Sequence, residues 1–386
     1  MRKLITFPFL VAFLIVCVSL NALFNPGAVC SVDENPKASP YIGALKKSAN
    51  IPLGDILTDD LYKIEFIEKS ENPAANKIPG LSQNNKLSGS ASYADFMNSK
   101  IDLSKMNVDV QTSILTDMLN NYVYAENQIT LISGTGDGLK GNTAPLEDLI
   151  NTKGKDVSFL AIRLRDGASA GYNVDKFFQS CSTIKIPLTL YAANLIQQGS
   201  LSFDDVFTYS EGSYIDGSGV IKNYPFGTRF RLKTLLTYAI KDSDNIAYQM
   251  LCYNLGVSNL YNYLEKLGAS VRTEDLESFR FWPDSNARSS ALWWSQVYSF
   301  KNSGEVGKWY WDLIGSSPSR IYTALAHSKP CYTKSGSSTY TLHEAGIVMG
   351  DDPYLVVIYT KSSTEAANTE YFFYNVAREV DKLINS

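Results

Sequence analysis

GYNVDKFFQSCSTIKIPLTLYAANLIQQG, residues 171–199, sets Ser182 and Lys185 three apart at the mouth of a predicted helix. The apolar residues Ile184, Leu188, Tyr191, Ala192 and Leu195 follow at helical spacing, and Gly199 is the stop. Positions i and i+3 share a helix face, so the Ser182 hydroxyl and the Lys185 amine lie side by side, a nucleophile next to a nitrogen base. Taken alone, the pair has a bland reading, with Ser182 as a helix cap and Lys185 as a solvated helical lysine. Pro187 is a local misfit, because a proline inside a helix removes a hydrogen bond.

Two further motifs give the pair its meaning. Ser243, Asp244 and Asn245 read SDN, 61 positions on (243 − 182), at a polar break in the helical run LKTLLTYAIKDSDNIAYQML. A polar turn between helices explains those residue types but not their distance from Ser182. Lys334, Ser335 and Gly336 read KSG, 91 positions further (334 − 243), before the predicted strands LHEAGIVMG and PYLVVIYTKS. SxxK, SDN and K-[ST]-G in that order form the motif set of class A β-lactamases and penicillin-binding proteins. The chain resembles these penicillin-recognising serine enzymes from about Leu146 to its C terminus. The flanks match as well: GYNVDKFF before the serine, GSGVIKNYPFGTRFRLKTLL before SDN and AGIVMGDDPYLVVIYT after KSG.

The resemblance implies an α+β, β-lactamase/transpeptidase-like fold. Its parts are a five-stranded antiparallel sheet, flanking terminal helices and an inserted, mostly helical lobe over about residues 179–325. The residues agree with this. APLEDLINTKG reads as a helix, and VSFLAIRLR and ASAGYNV read as strands joined by an Asp166-Gly167 hairpin turn. The strand carrying KSG and the two after it complete the sheet. A closing helix with Phe372, Phe373, Val376, Val380 and Leu383 at helical spacing covers one face. The site then lies in the cleft between lobe and sheet.

In that setting Ser182 is the candidate nucleophile and Lys185 its base. Lys185 must be neutral for part of the cycle, and burial among Ser243, Asn245 and apolar neighbours lowers a lysine pKa. The resemblance makes Ser243 the proton carrier to the departing nitrogen, Asn245 the anchor for a substrate amide and Asp244 a brace for the loop. Lys334 offers a positive charge, and Ser335 a hydroxyl, to a substrate carboxylate, while Gly336 lets a substrate backbone approach the strand edge. The backbone N–H groups of Ser182 and Ser337 form the expected oxyanion hole.

The chain departs from the family pattern at two places. Hydrolytic class A enzymes use a glutamate, followed by a Leu-Asn pair, to activate the water that frees the acyl-enzyme. RTEDLESFRFWPDSNARSSA, residues 272–291, offers Glu274 and Glu277 without an E-x-x-L-N pattern. Alignment back from Arg288-Ser289-Ser290 favours Glu274, as does Arg272 two before it, whereas alignment forward from Gly268 points to Ser278. Glu274 is therefore the candidate water-activating base, with Glu277 the other glutamate of the segment. The second departure is Ala345, which stands where the family often has a carboxylate-binding arginine on the strand after KSG. Arg320, 14 residues before Lys334 (334 − 320), is either its substitute or a surface arginine.

The rest of the chain sets the boundaries. MRKLITFPFLVAFLIVCVSLNALF opens with Arg2 and Lys3 and runs on through about 21 mostly apolar residues, so residues 1–30 read as a signal peptide or membrane anchor that leaves the remainder outside the cytoplasm. Val29 before Cys30 argues against lipoprotein processing. Residues 31–141, rich in Asn, Ser, Pro and Lys, read as a linker or small accessory region in which VDVQTSILTDMLNNYVYA is a candidate amphipathic helix. The glycines of SGTGDGLKG read as a flexible linker, since no βαβ pattern surrounds them and no Gly-Lys-Ser/Thr ends them. The catalytic domain is then 142–386.

A net charge of −4 with no basic run after residue 3 argues against a nucleic-acid partner. With two histidines, no HExxH and no spaced cysteine pairs, neither a metal nor a cofactor is expected. No G-x-S-x-G surrounds Ser182, which disfavours a Ser-His-Asp hydrolase. Cys181, Cys252 and Cys331 permit at most one disulfide, and Cys181, whose usual family partner position is Ser338, reads as a buried thiol.

Three functions follow. The leading one is an exported, monomeric serine hydrolase that opens β-lactams through a Ser182 acyl-enzyme freed by water, touching the membrane only through its N-terminal segment. The second is a D-alanyl-D-alanine peptidase or other penicillin-binding protein acting on peptidoglycan stem peptides. The third, a non-catalytic cell-wall binding module, is disfavoured because binding alone needs no nucleophile and base.

Overall fold

The computed structural model describes residues 102–152, 156–273, 281–361 and 366–386. The expected leader, residues 1–30, and residues 31–101 of the expected accessory region lie outside them. A sheet of six strands runs through the centre: β1 (Thr130–Ile132), β2 (Val157–Arg163), β3 (Ser169–Tyr172), β4 (Cys331–Ser337), β5 (Thr341–Val348) and β6 (Tyr354–Lys361). Their spatial order is β1-β3-β2-β6-β5-β4, antiparallel throughout. Strands β2, β5 and β6 are buried along almost their whole length rather than on alternate residues, because helices cover both sheet faces.

Among the described residues, ten α-helices surround the sheet. Two precede β2, α1 (Val108–Asn121) and α2 (Ala144–Asn151), and α10 (Ala366–Ile384) closes the chain. Between β3 and β4 lie α3 (Lys185–Gln197), α4 (Leu232–Lys241), α5 (Asn245–Leu255), α6 (Val257–Lys266), α7 (Ala287–Phe300), α8 (Gly304–Gly315) and α9 (Arg320–Ala324). Strand alternation sends Leu160, Ile162, Ala345, Ile347, Leu355 and Val357 inward to the core of this lobe. Phe159, Ala161, Val356 and Ile358 point the other way, where Phe373, Val376 and Val380 of α10 and Leu146 and Ile150 of α2 cover them.

The folded body begins well before residue 142. The candidate amphipathic helix is α1, and its Val110, Ile114, Leu115, Met118 and Leu119 are buried in the lobe core. Polar contacts pin both of its ends: Gln111 Nε2 donates to the Leu164 carbonyl at 2.7 Å, and Arg288 Nη1 donates to the carbonyls of Leu119 and Tyr122. Strand β1 adds a sixth, edge strand to the five expected. SGTGDGLKG is a packed segment rather than a flexible linker. Thr135 N–H donates to the Asp166 carbonyl at 2.7 Å, and a Cβ on Gly134, at φ +63°, would sit 2.2 Å from that same oxygen.

The Asp166-Gly167 hairpin forms as expected. Gly167 takes φ +71°, and the buried Asp166 carboxylate accepts from Arg163 Nη2 at 2.8 Å and Nε at 3.0 Å.

Candidate active site

The chain approaches the candidate nucleophile through a small sheet, in which Phe178–Gln179 pairs with Asp284–Ser285 and the latter with Val271–Arg272. A 3₁₀ turn over Cys181–Ile184 then leads straight into α3. Because α3 begins at Lys185, Pro187 falls in its first turn, where backbone N–H groups have no i−4 partner within the helix, and the misfit disappears. Cys181 sits at φ +48° and Ser243 at φ +51°, both in the left-handed region that costs a residue with a Cβ about 1–2 kcal/mol. The strain falls at the two turns that present the candidate hydroxyls.

Those turns converge on Lys185, which is fully buried. Its Nζ lies 3.1 Å from Ser182 Oγ, 2.5 Å from the Ser243 carbonyl, 3.3 Å from Ser243 Oγ and 2.8 Å from Asn245 Oδ1. It also sits over the Trp282 ring at 5.4 Å. Lys334, also buried, donates to Ser243 Oγ at 3.1 Å and to the Ser335 carbonyl at 3.0 Å. Ser243 Oγ therefore stands between two amines, and a continuous chain runs from Ser182 Oγ through Lys185 Nζ and Ser243 Oγ to Lys334 Nζ.

Burial, and after it the nearby Lys334 charge, pushes the Lys185 pKa well below that of a free lysine. Burial also lowers Lys334, to about 8, with Glu344 opposing the shift and Arg320 adding to it.

SDN is held from below. Asp244 caps α5 by accepting from Ala247 N–H at 2.8 Å, while its other oxygen takes the N–H groups of Val220 and Ile221 at 2.6 and 2.8 Å. It is the brace expected of it. A Cβ on Gly219, at φ +117°, would fall 2.2 Å from the Asp244 carboxyl carbon, so only glycine lets the loop come this close. Asn245 divides its amide, with Oδ1 accepting from Lys185 and Nδ2 donating to the Asp216 carbonyl at 3.1 Å.

Gly336 also has a reason inside the fold itself. A Cβ there would lie 2.7 Å from Ser182 N, 2.9 Å from Cys181 Cβ and 3.1 Å from Thr183 N, so the residue admits the nucleophile turn itself against β4. Ser335 and Ser337 are further along the same edge strand, Ser337 exposed and paired with Leu342.

Cys181, Cys252 and Cys331 are not disulfide-bonded. Cys181 Sγ lies 3.1 Å from Thr341 Oγ1, and burial raises its pKa.

Ala345 lies directly opposite Lys334 in the β4–β5 register, so an arginine there would have shared its face. Arg320 opens α9 close enough to Lys334 to depress its pKa, and its Nε is 3.4 Å from Glu370 Oε1. Glu274 and Glu277 lie outside the described residues, although the strands that bound their segment pair beside the nucleophile turn. Sequence reasoning missed Glu344, a fully buried carboxylate one register step from Lys334. Its only signal was a charged residue in the middle of the predicted strand LHEAGIVMG.

Comparison with known proteins places this arrangement among relatives. A model described as the Beta-lactamase enzyme family matches residues 143–384. Beta-lactamase VEB-1 of Pseudomonas aeruginosa is 21% identical over 146 residues, which is 36% of this chain and about half (49%) of that protein's length. Among solved structures, a β-lactamase from Burkholderia vietnamiensis superposes with a TM-score of 0.58 at 19% identity, over 63% of this chain and 96% of that one. PBP-A superposes with a TM-score of 0.55 at 14% identity, over 71% and 96%. At such identities the superpositions speak for the fold.

Proposed function

The chain belongs to the beta-lactamase enzyme family, and we propose that it is an exported serine hydrolase which opens β-lactams by acylation of Ser182 and releases the product by hydrolysis. The observation that carries this reading is the hydrogen-bond chain from Ser182 Oγ through Lys185 and Ser243 to Lys334. The neutral Lys185 amine takes the Ser182 proton as Oγ attacks the lactam carbonyl carbon. The negative charge that develops on the carbonyl oxygen is received by the N–H groups of Ser182 and Ser337. The carbon–nitrogen bond then breaks, and the proton held on Lys185 returns through Ser243 Oγ to the leaving nitrogen. Lys334, with Ser335, holds the substrate carboxylate, and Asn245 presents its remaining amide hydrogen to a substrate carbonyl. Water closes the cycle, adding to the ester and regenerating Ser182, with Glu274 as the candidate base.

A penicillin-binding peptidase is the second reading. The missing E-x-x-L-N pattern in residues 272–291 favours it, as does the likeness to PBP-A. Mass spectrometry of the full chain mixed with a penicillin separates the two. A transient adduct on the Ser182 peptide with turnover supports the hydrolase, and a persistent adduct supports the peptidase. Glu274→Gln should convert turnover into a stoichiometric burst, and wild-type turnover in that variant removes Glu274 from the mechanism. An undiminished adduct in Ser182→Ala would overturn both readings.

A further inference from the structure

The four polar atoms around Lys185 Nζ, namely Ser182 Oγ, the Ser243 carbonyl, Ser243 Oγ and Asn245 Oδ1, are all uncharged. The amine has one further neighbour of another kind, the Trp282 ring, whose centroid lies 5.4 Å from Nζ. Both peptides that flank Trp282 are tied to the elements carrying the site. The Phe281 carbonyl accepts from the hydroxyl of Tyr248, on α5, at 2.6 Å, and the Pro283 carbonyl accepts from Ser180 N–H, two residues before the candidate nucleophile, at 3.4 Å. Pro283 also disfavours the helical conformation at the residue before it. The ring itself packs on the fully buried Tyr248, with centroids 4.7 Å apart and planes at 52°. The indole is thus fixed from three directions with Lys185 over its ring.

The indole N–H shows which part of the ring matters. It is buried, and no group among the described residues accepts it. A buried donor without an acceptor is destabilising, and a phenylalanine would make the same apolar contact without one. Trp293 and Trp294 also have unaccepted N–H groups, but those two are fully buried and fill the lobe core, whereas Trp282 is only partly buried. What an indole has over a benzene ring is a face that attracts a nearby cation more strongly. Lys185 is such a cation for only part of the cycle. It is neutral when it takes the Ser182 proton and becomes an ammonium as Oγ attacks, in a fully buried position where its hydrogen-bond partners carry no negative charge.

We infer that Trp282 is a positioning residue for acylation, its ring face seating the Lys185 ammonium that forms when Ser182 gives up its proton. The inference rests on the acylation reading given above. The Ser182 O–H bond breaks and an N–H bond forms on Lys185 beside the ring. That proton leaves through Ser243 Oγ for the lactam nitrogen as the carbon–nitrogen bond breaks, and the amine is neutral again.

The charged and titratable groups that face Lys185 are Lys334 from β4, Asp244 from the start of α5, Cys181 from the nucleophile turn and Cys252 from α5. Lys334 works against the ammonium, as burial does, and Asp244 works for it while committed to three backbone N–H groups. Asp156, Lys176, Arg272, Asp284 and Lys361 line a cavity that Trp282 shares.

The test uses the full chain with Trp282→Leu, which keeps an apolar side chain beside Lys185 but no ring face, and Trp282→Phe, which keeps a face but no N–H. The rate of acylation by benzylpenicillin is followed against pH. Losing the face removes support for the charged form of Lys185, so Trp282→Leu should move the acid limb down by about one pH unit and lower the plateau by about three- to tenfold. Trp282→Phe should restore most of both, even where its melting temperature falls. An acid limb that stays in place in Trp282→Leu would reduce Trp282 to packing and overturn the inference, and a limb that moves up would overturn it by showing that the ring acts through excluding water. Equal behaviour of the two variants would place the effect in the N–H and overturn it too. If the wild type forms no adduct at all, the acylation reading fails. NMR titration of isotope-labelled lysine, with the Lys185 signal identified by its loss in Lys185→Arg, then still decides Trp282: a lowered Lys185 midpoint in Trp282→Leu supports the ring, and an unmoved or raised one overturns it.

Discussion

Replacing Gly336 with alanine tests whether the nucleophile turn is held by contact with β4. The new Cβ would stand 2.7 Å from Ser182 N, short by about 0.7 Å of the 3.4 Å at which contacts become ordinary. Neither side yields cheaply. On one side the colliding atoms are the backbone of Ser182 and Thr183 and the Cβ of Cys181, a residue already at φ +48°. On the other, β4 is paired to β5 from Cys331 to Ser337. The turn must therefore shift by about half an ångström or more, and displacements near 1 Å cost about a hundredfold in well-aligned reactions. Gly336→Ala should slow acylation by a fluorescent penicillin by about thirty- to a hundredfold, while overpacking lowers stability by about 1–3 kcal/mol. Stopped-flow fluorescence gives the first quantity and urea unfolding the second. The pH profile should keep its shape, because both amines retain their partners. Acylation at the wild-type rate, with or without lost stability, would refute the claim that this contact sets the nucleophile.

Three further outcomes follow from the same geometry. Lys185→Ala should slow acylation by at least about a hundredfold, the usual loss on removing a general base, and mass spectrometry of the Ser182 peptide measures it. Lys334, with a pKa near 8, is charged below that pH, so recognition of a substrate carboxylate should be complete below it and fade as pH rises through it. Lys334→Ala should remove that limb and lose roughly 1.5–3 kcal/mol for carboxylate-bearing substrates only, which matched kinetics with an ester would expose. His343 is fully buried, receives the Thr360 N–H on Nδ1 at 3.2 Å, and through Nε2 contacts the Gln179 carbonyl at 3.0 Å; burial lowers its pKa from 6.5 to about 4. The folded state thus prefers the neutral ring, so this stability is complete above pH 6.5 and falls by about 3 kcal/mol as the unfolded chain takes up its proton between pH 6.5 and 4. Urea titrations at pH 7.5 and 4.5 read it, and His343→Gln should flatten the difference.

By itself the sequence determined what depends on local order. SxxK needs only one helical turn to place Ser182 beside Lys185, and the polar break in an apolar helical run puts SDN at a helix start, where Asp244 is the cap. Apolar runs bounded by turn residues located the five main strands, and Asp-Gly located the hairpin. Tertiary structure decided what depends on residues far apart in the chain. Nothing local to Ser243 says that its hydroxyl lies between two amines, one of them 91 positions away. The helical period of residues 108–121 does not name α7 as their partner, and the glycines at 133–141 look pliable until the Asp166 hairpin closes on them. Gly336 likewise owes its identity to Ser182, and Glu344 its burial to the α9 N terminus. Periodicity and caps act within a few residues, whereas close approach, burial and the field of a neighbouring charge depend on which surfaces packing brings together.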